Sequence, residues 1–266
     1  MLTLEDVGEF GDGSSKFHWT IRDDESIGST FYDMSNKDHP STLCIATQLG
    51  CEVGCRFCHA HLRDGVSNLQ PEEMVAQAES SIQQLYDRSD RDDVEALQIA
   101  FMGFGEPMHN LNNVVEAKAL IEEKMSGLDL TFNLSTSGWA PGIEVLSKRD
   151  PSFRLYVSLH ASDDDTRSQL IPRRNTFSLE EIVSAARTYY EVSGEQVTAN
   201  YLLIEGMNDT REDAERLAEL LEPEGFTVSL SHLVGPPVET LSSPEDERFE
   251  EFRDWLTERG VETKVF

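Results

Sequence analysis

The stretch TLCIATQLGCEVGCRFCHAH, Thr42–His61, joins an apolar, β-branched run to a loop rich in glycine and cysteine. All four cysteines of the chain, Cys44, Cys51, Cys55 and Cys58, fall inside it, with His59 and His61 alongside. The run reads as a strand, Thr42–Gln48. Five further apolar stretches repeat it: Leu97–Gly103, Leu130–Thr136, Phe153–His160, Val197–Ile204 and Thr227–Leu233. Helical patterns lie between and after them, at Pro71–Leu85, Val114–Lys124, Pro141–Lys148, Leu179–Tyr190, Thr210–Leu221 and Glu245–Glu258. Ala214, Leu217, Leu220 and Leu221 share one face at helical spacing, and Thr210 with Asp213 forms a capping-box pattern. Phe249, Phe252, Trp255 and Leu256 line one side of the last helix and read as core packing. Six β-α units in series predict an α/β fold on a parallel sheet with right-handed crossovers. It is either a partial barrel or a doubly wound open sheet. FHWTIRD and STFYDM precede the series, so the expected organisation is an N-terminal β extension over 1–41 and one core domain over 42–266.

In both architectures chemistry belongs at the carboxyl ends of the strands. Polar and glycine residues gather there. The cysteine loop follows the first strand, and Gly103-Phe104-Gly105-Glu106-Pro107 follows the second. The third ends in Ser135-Thr136-Ser137-Gly138 and the fourth in Ser158-Leu159-His160.

Charge narrows the function class. The chain carries 22 Lys and Arg against 50 Asp and Glu, a formal net charge of −28. General nucleic-acid binding rests on phosphate neutralisation and is disfavoured, so any RNA contact needs a local basic patch. Such self-repulsion destabilises a compact chain in dilute buffer and is screened by concentrated salt, which predicts a salt-loving host. The first residues, MLTLEDVGEF, lack the basic start and apolar run of a signal peptide. No stretch approaches bilayer length. A cytoplasmic protein without a membrane partner is expected.

The C-x3-C-x2-C spacing of Cys51, Cys55 and Cys58 suits a single inorganic centre. A structural zinc would take the three thiolates plus His59 or His61. A disulfide does not suit the compartment. An electron-transfer cluster would want four cysteines, and Cys44, inside a strand, is a poor fourth ligand. The remaining candidate is a [4Fe-4S] cluster on three thiolates, with one iron open to a small ligand.

That spacing, after the first strand of a β-α series, resembles the radical SAM superfamily. CIATQLGCEVGCRFC, FMGFGEP, LSTSGWAPGI, VSLHASDDDTRSQLIP and LIEGMND follow the order of the RlmN/Cfr family within it, from about Thr42 to Leu221. The resemblance implies a partial (βα)6 TIM-like barrel. It implies that Cys51, Cys55 and Cys58 bind the [4Fe-4S] cluster, whose open iron holds S-adenosylmethionine (SAM). Gly105, Glu106, Ser135, Ser158 and His160 would contact that cofactor. The implied reaction is that of a 23S rRNA adenine-C2 methyltransferase, working through a 5′-deoxyadenosyl radical, with ferredoxin or flavodoxin as electron donor. Cys44 corresponds by position to the cysteine that resolves the protein–RNA crosslink. The residue-level expectation is that it is either an inert strand cysteine or a hydrogen-atom donor.

The sequence also departs from that family. No cysteine follows Cys58, and VETKVF closes the chain before the family's terminal cysteine motif. The family's glutamate base has only Asp33, or Glu25 farther upstream, as counterpart. Its asparagine after the sixth strand is expected to be replaced near Leu233-Val234-Gly235, and its N-terminal RNA-binding module is expected to be missing. The expectation is therefore radical chemistry on RNA or a nucleotide-like substrate with an altered reaction. The alternatives are a radical enzyme for a small metabolite or peptide and a zinc-stabilised binding protein. Arg167, Arg173 and Arg174, around Pro172, either bind a substrate anion or pair with Asp163–Asp165 at the surface.

Overall fold

The computed structural model describes residues 2–9, 14–22, 25–34, 40–62, 65–88, 96–172, 177–233 and 241–266. Arg173, Arg174, Val234 and Gly235 lie outside them. The chain forms two compact units, one from Met1–Cys51 with Leu62–Ser135, the other from Glu52–His61 with Thr136–Phe266. Among the described residues no helix is long and apolar enough to cross a membrane.

In the first unit, β1 (Thr3–Glu9), β2 (Ser15–Thr20) and β3 (Ser26–Tyr32) form an antiparallel meander, and β3 pairs antiparallel with β4 (Ser41–Cys44). The expected β extension is thus part of the same sheet as β4. Its inner face buries Phe17, Trp19 and Phe31, each worth roughly 2–3 kcal/mol of apolar transfer. A short ribbon, β5 (Gln48–Leu49) with β6 (Ser67–Asn68), precedes α1 (Pro71–Arg88). Then come β7 (Ala96–Phe101), α2 (Leu111–Lys124) and β8 (Asp129–Thr136), with β4, β7 and β8 parallel in that order. Trp19 Nε1 donates to Ser29 Oγ at 2.8 Å, and Ser29 Oγ is 2.7 Å from Ser81 Oγ of α1. The meander is therefore tied to the first crossover helix.

The strand expected over Thr42–Gln48 is interrupted, for a tertiary reason. Ladder pairing of β4 stops at Cys44. The Gln77 side chain of α1 then takes over the backbone of Ala46, accepting from its N–H at 2.9 Å and donating to its carbonyl at 3.1 Å. The turn after β7 presses in from the other side, where Gly103 N–H donates to Ile45 O at 3.0 Å. A Cβ on Gly103 would stand 2.7 Å from that oxygen, so glycine is required.

Register divides the parallel strands into two faces. Leu43, Ile99 and Phe132 form one cross-strand row and are buried. The opposite face, by the two-residue alternation of a strand, carries the rows Thr42–Gln98–Thr131 and Cys44–Ala100–Asn133. A parallel sheet covered by helices on both sides reads as nearly continuous apolar sequence. This one has a polar face instead.

The second unit repeats the pattern. It comprises α3 (Ala140–Arg149), β9 (Arg154–Ser158), α4 (Asp164–Leu170), α5 (Leu179–Ser193), β10 (Val197–Leu202), α6 (Arg211–Leu221), β11 (Phe226–Ser231), α7 (Asp246–Glu258) and β12 (Glu262–Val265). Strands β9 to β12 are parallel neighbours in sequence order. Val157, Ala199 and Val228 lie on the apolar side, and Ser158, Asn200 and Ser229 on the polar one. The capping box at Thr210 and Asp213 is present, and Phe249, Phe252 and Leu256 are buried as expected.

Candidate cluster and cofactor site

In the first unit the residues singled out by sequence lie at the carboxyl ends of adjacent strands. Cys44 ends β4, Ser135 is the penultimate residue of β8, and Gly105 and Glu106 form the turn after β7. Gly105 has φ +109°, and a Cβ there would meet Thr47 Oγ1 and the Gln48 side chain at 2.7 Å. That turn is pinned. Glu106 N–H donates to Gln48 Oε1 at 2.7 Å, and the buried Glu106 carboxylate accepts from Met108 N–H at 3.0 Å. Asn110 Nδ2 bonds the carbonyls of Thr47 and Leu69, both at 2.8 Å. Cys44 keeps part of its residue surface accessible, yet its thiol is enclosed and burial pushes its pKa up to about 12. It is a protonated S–H at any ordinary pH.

In the second unit, Ser158 ends β9 and His160 follows two residues later. His160 is buried with φ +55°, a left-handed conformation rare outside glycine. Surrounding bonds hold it there. Its Nδ1 accepts from Leu202 N–H at 2.9 Å, and its carbonyl accepts from Asn208 Nδ2 at 2.8 Å. Burial first, and the Arg167 charge second, pull its pKa down to about 3. The ring is neutral, Nδ1 is its acceptor, and Nε2 therefore carries the proton as a donor. Asn208, inside LIEGMND, also accepts from Ile204 N–H at 2.7 Å and donates to Leu202 O at 2.8 Å. Sequence reasoning quoted that motif without assigning Asn208 this clamp.

The loop carrying Cys55 and Cys58 docks on the same region of the second unit. The Phe57 ring meets His160 edge-on, with centroids 4.8 Å apart. Arg56 donates from its backbone N–H to Leu170 O and from Nη1 to Gln169 O, each at 3.0 Å. Arg167 corrects the sequence expectation. It does not sit on the surface with Asp163–Asp165. Its residue is 2% exposed, and one terminal nitrogen donates to the carbonyls of Ser137 and Ser158. Burial lowers its pKa to about 10, opposed by the neighbouring Cys55 and Asp164. Asp163 instead caps α4 through Thr166 and faces Arg216 at 3.8 Å.

Three thiolates in one loop, Cys51, Cys55 and Cys58, fit a cluster. None of the four cysteines is in a disulfide. Burial raises the Cys58 thiol's pKa, while Ala60 N–H, donating to its sulfur at 3.4 Å, lowers it. Such N–H···S bonds are how a protein tunes cluster thiolates. Among the described residues no three His, Cys, Asp or Glu side chains are gathered as ligands of a single metal ion.

The sequence profile described as the Radical SAM superfamily matches residues 45–221. The chain belongs to the radical SAM superfamily. A probable dual-specificity RNA methyltransferase RlmN from Thermotoga petrophila is 35% identical over 258 residues, which cover 96% of this chain and 71% of that protein. The dual-specificity RNA methyltransferase RlmN of Syntrophotalea carbinolica is 34% identical over 263 residues, covering 98% of this chain and 67% of the relative. A crystal structure of a radical SAM methyltransferase from Sphaerobacter thermophilus superposes with a TM-score of 0.90 at 31% identity, across 100% of this chain and 76% of that one. Within its superfamily the chain is a member of the RlmN family. It has the α/β radical SAM fold, and it is an enzyme whose cofactors are a [4Fe-4S] cluster and SAM.

Proposed function

We propose that the enzyme acts on an adenine base of RNA in the cytoplasm, drawing single electrons from a ferredoxin or flavodoxin. Cys51, Cys55 and Cys58 would hold the cluster, and Gly105, Glu106, Ser135, Ser158 and His160 would each contact SAM. Bound there and reduced, the cluster would supply the single electron needed for reductive cleavage of SAM. The chain's own residues position the reactants. The Glu106 turn, held by Gln48 and Asn110, presents a carboxylate suited to the SAM amino group. Neutral His160 offers an Nε2 proton, and Arg167 fixes the carbonyl ends at Ser137 and Ser158. Cys44, enclosed and protonated, is suited to give a hydrogen atom to a substrate radical. Four cysteines outside any disulfide agree with a reducing compartment.

This reading is supported by the position of the residues expected to contact SAM, at or just after strand ends, in a chain aligned over nearly its whole length with RNA methyltransferases. Anaerobic reconstitution with iron, sulfide, a reductant and SAM tests it. Formation of 5′-deoxyadenosine, stimulated by RNA, is expected. A cluster-loaded, reduced protein that never cleaves SAM would overturn the reading. S-adenosylhomocysteine formed alongside reports methyl transfer, and its absence reports an altered reaction. The net charge of −28 is read as adaptation to salt. Melting temperature should then rise from dilute buffer to molar KCl.

A further inference from the structure

Arg167 is buried, and its guanidinium sits in a built seat. One terminal nitrogen donates to the carbonyls of Ser137 and Ser158. Gly138, at φ +101°, makes the room, since a Cβ there would stand 3.2 Å from that nitrogen. Nε is buried and has no hydrogen-bond partner. The acids at the start of α4 are engaged elsewhere: Asp163 faces Arg216, and Asp164 Oδ1 accepts from Leu179 N–H at 2.9 Å. A buried cation held mainly by neutral carbonyls is costly, and its field reaches far. The cysteine loop lies within that field. A Cβ on Gly54 would be 3.8 Å from Pro172 Cγ, and Arg56 bonds the carbonyls of Leu170 and Gln169, each at 3.0 Å. Both chain neighbours of Cys55 are thus seated on the segment that follows Arg167. Burial lowers the Arg167 pKa to about 10, opposed by Cys55, so the side chain is charged at neutral pH.

We propose that Arg167 is a positioning residue: it acts through Cys55, holding a positive charge beside the cluster and raising its reduction potential. The inference rests on the proposed ligation of that cluster by Cys51, Cys55 and Cys58. On reduction the cluster takes one electron from an external reductant and becomes more negative by one charge. A fixed cation beside it favours that form, and charge and surroundings are what set such potentials. At a separation of about 10 Å and an effective dielectric of about 20, the attraction amounts to about tenfold in the reduction equilibrium.

Titration of the cluster-loaded enzyme with dithionite in the absence of SAM, followed by the paramagnetic resonance of the reduced cluster, reads the midpoint potential. Arg167→Gln keeps a donor for the two carbonyls and removes the charge. Its midpoint should fall by about tenfold in the equilibrium, or about 59 mV for one electron. Arg167→Lys keeps the charge and should stay within about twofold of the unmodified enzyme. A Gln variant within about twofold of the unmodified enzyme would overturn the inference. A Lys variant that falls as far as the Gln variant would also overturn it, assigning the effect to shape. Should Arg167→Gln fail to load a cluster, Asp164→Asn decides. It retains the acceptor for Leu179 N–H and removes the anion whose charge opposes that of Arg167. Its midpoint should rise, and an unchanged one would overturn the inference. An enzyme that shows the expected shifts but never cleaves SAM would refute the catalytic reading and leave the Arg167 assignment standing. One that cleaves SAM while Arg167→Gln leaves the midpoint unmoved would do the reverse.

Discussion

Both compact units present a polar strand face, and they finish it differently. In the second unit the polar side chains beside the strand ends satisfy one another. The Asn208 side chain accepts from Ile204 N–H and donates to the carbonyls of Leu202 and His160, and its own carbonyl accepts from the Tyr201 hydroxyl. Ser162 donates to Asp213 at 2.9 Å and accepts from Arg216 Nε at 3.2 Å, while Asp213 also closes the Thr210 cap at 2.6 Å. Arg167 Nε is the one buried side-chain atom left open among the described residues of that unit. In the first unit Asn133 Oδ1 and Thr131 Oγ1 are both open, on one strand and one face. Closed networks rigidify and specify a structure. The first unit's face, with two buried oxygens lacking a partner, is less closed.

The largest effect that could break this comparison is at the cluster loop. Cys58→Ala should leave the polar faces intact but remove nearly all bound iron and sulfide, together with SAM cleavage. Iron and sulfide assays on the reconstituted protein check it, and full iron retention would exclude Cys58 as a ligand. Asn208→Ala should come next, costing about 3 kcal/mol or more in urea unfolding, because several buried backbone groups lose their partner at once. A cost near zero would mean that the second unit's network is not what holds His160 in its left-handed conformation.

Cys44→Ala probes the open face. It should preserve 5′-deoxyadenosine formation and abolish modified product, which mass spectrometry of the RNA would show. The same variant has a pH signature. Below pH 9 the thiol is protonated in the folded and unfolded chain alike. Above it the unfolded chain ionises, while the folded thiol holds its proton to about 12. Stability attributable to Cys44 is therefore lost as pH rises through that window. Cys44→Ala should flatten the decline in unfolding free energy between those values.

Much of the core was legible because it is local. Six alternating β-α segments, the capping box and the clustered thiols declare themselves by periodicity and spacing. What escaped depends on distant partners or on short polar segments. β1, TLEDVGE, and β12, ETKV, have no apolar run and take their order from a neighbouring strand. α4, DDTRSQL, lacks an apolar stripe and is nucleated by its Asp163 cap. Arg167 reads as a surface charge until the carbonyls of Ser137 and Ser158 are folded onto it. The break after Cys44 is made by Gln77, more than thirty residues along the chain. The open acceptors of the polar face were the least legible, since a missing partner leaves no mark in a sequence.

The smallest effect gives the sharpest version of the comparison, because one substitution should act with opposite sign in the two units. Thr210→Val removes a hydroxyl that accepts from Asp213 N–H at 3.2 Å and donates to its carboxylate. Loss of such a cap costs about 1 kcal/mol. Thr131→Val removes a buried hydroxyl that has no partner and replaces it with a methyl group of similar shape. With no bond to lose and a desolvation penalty relieved, it should be neutral or stabilise by up to about 1 kcal/mol. Urea midpoints measured side by side read both. If Thr131→Val costs as much as Thr210→Val, the Thr131 hydroxyl is bonded in solution, and the first unit's polar face is as closed as the second's.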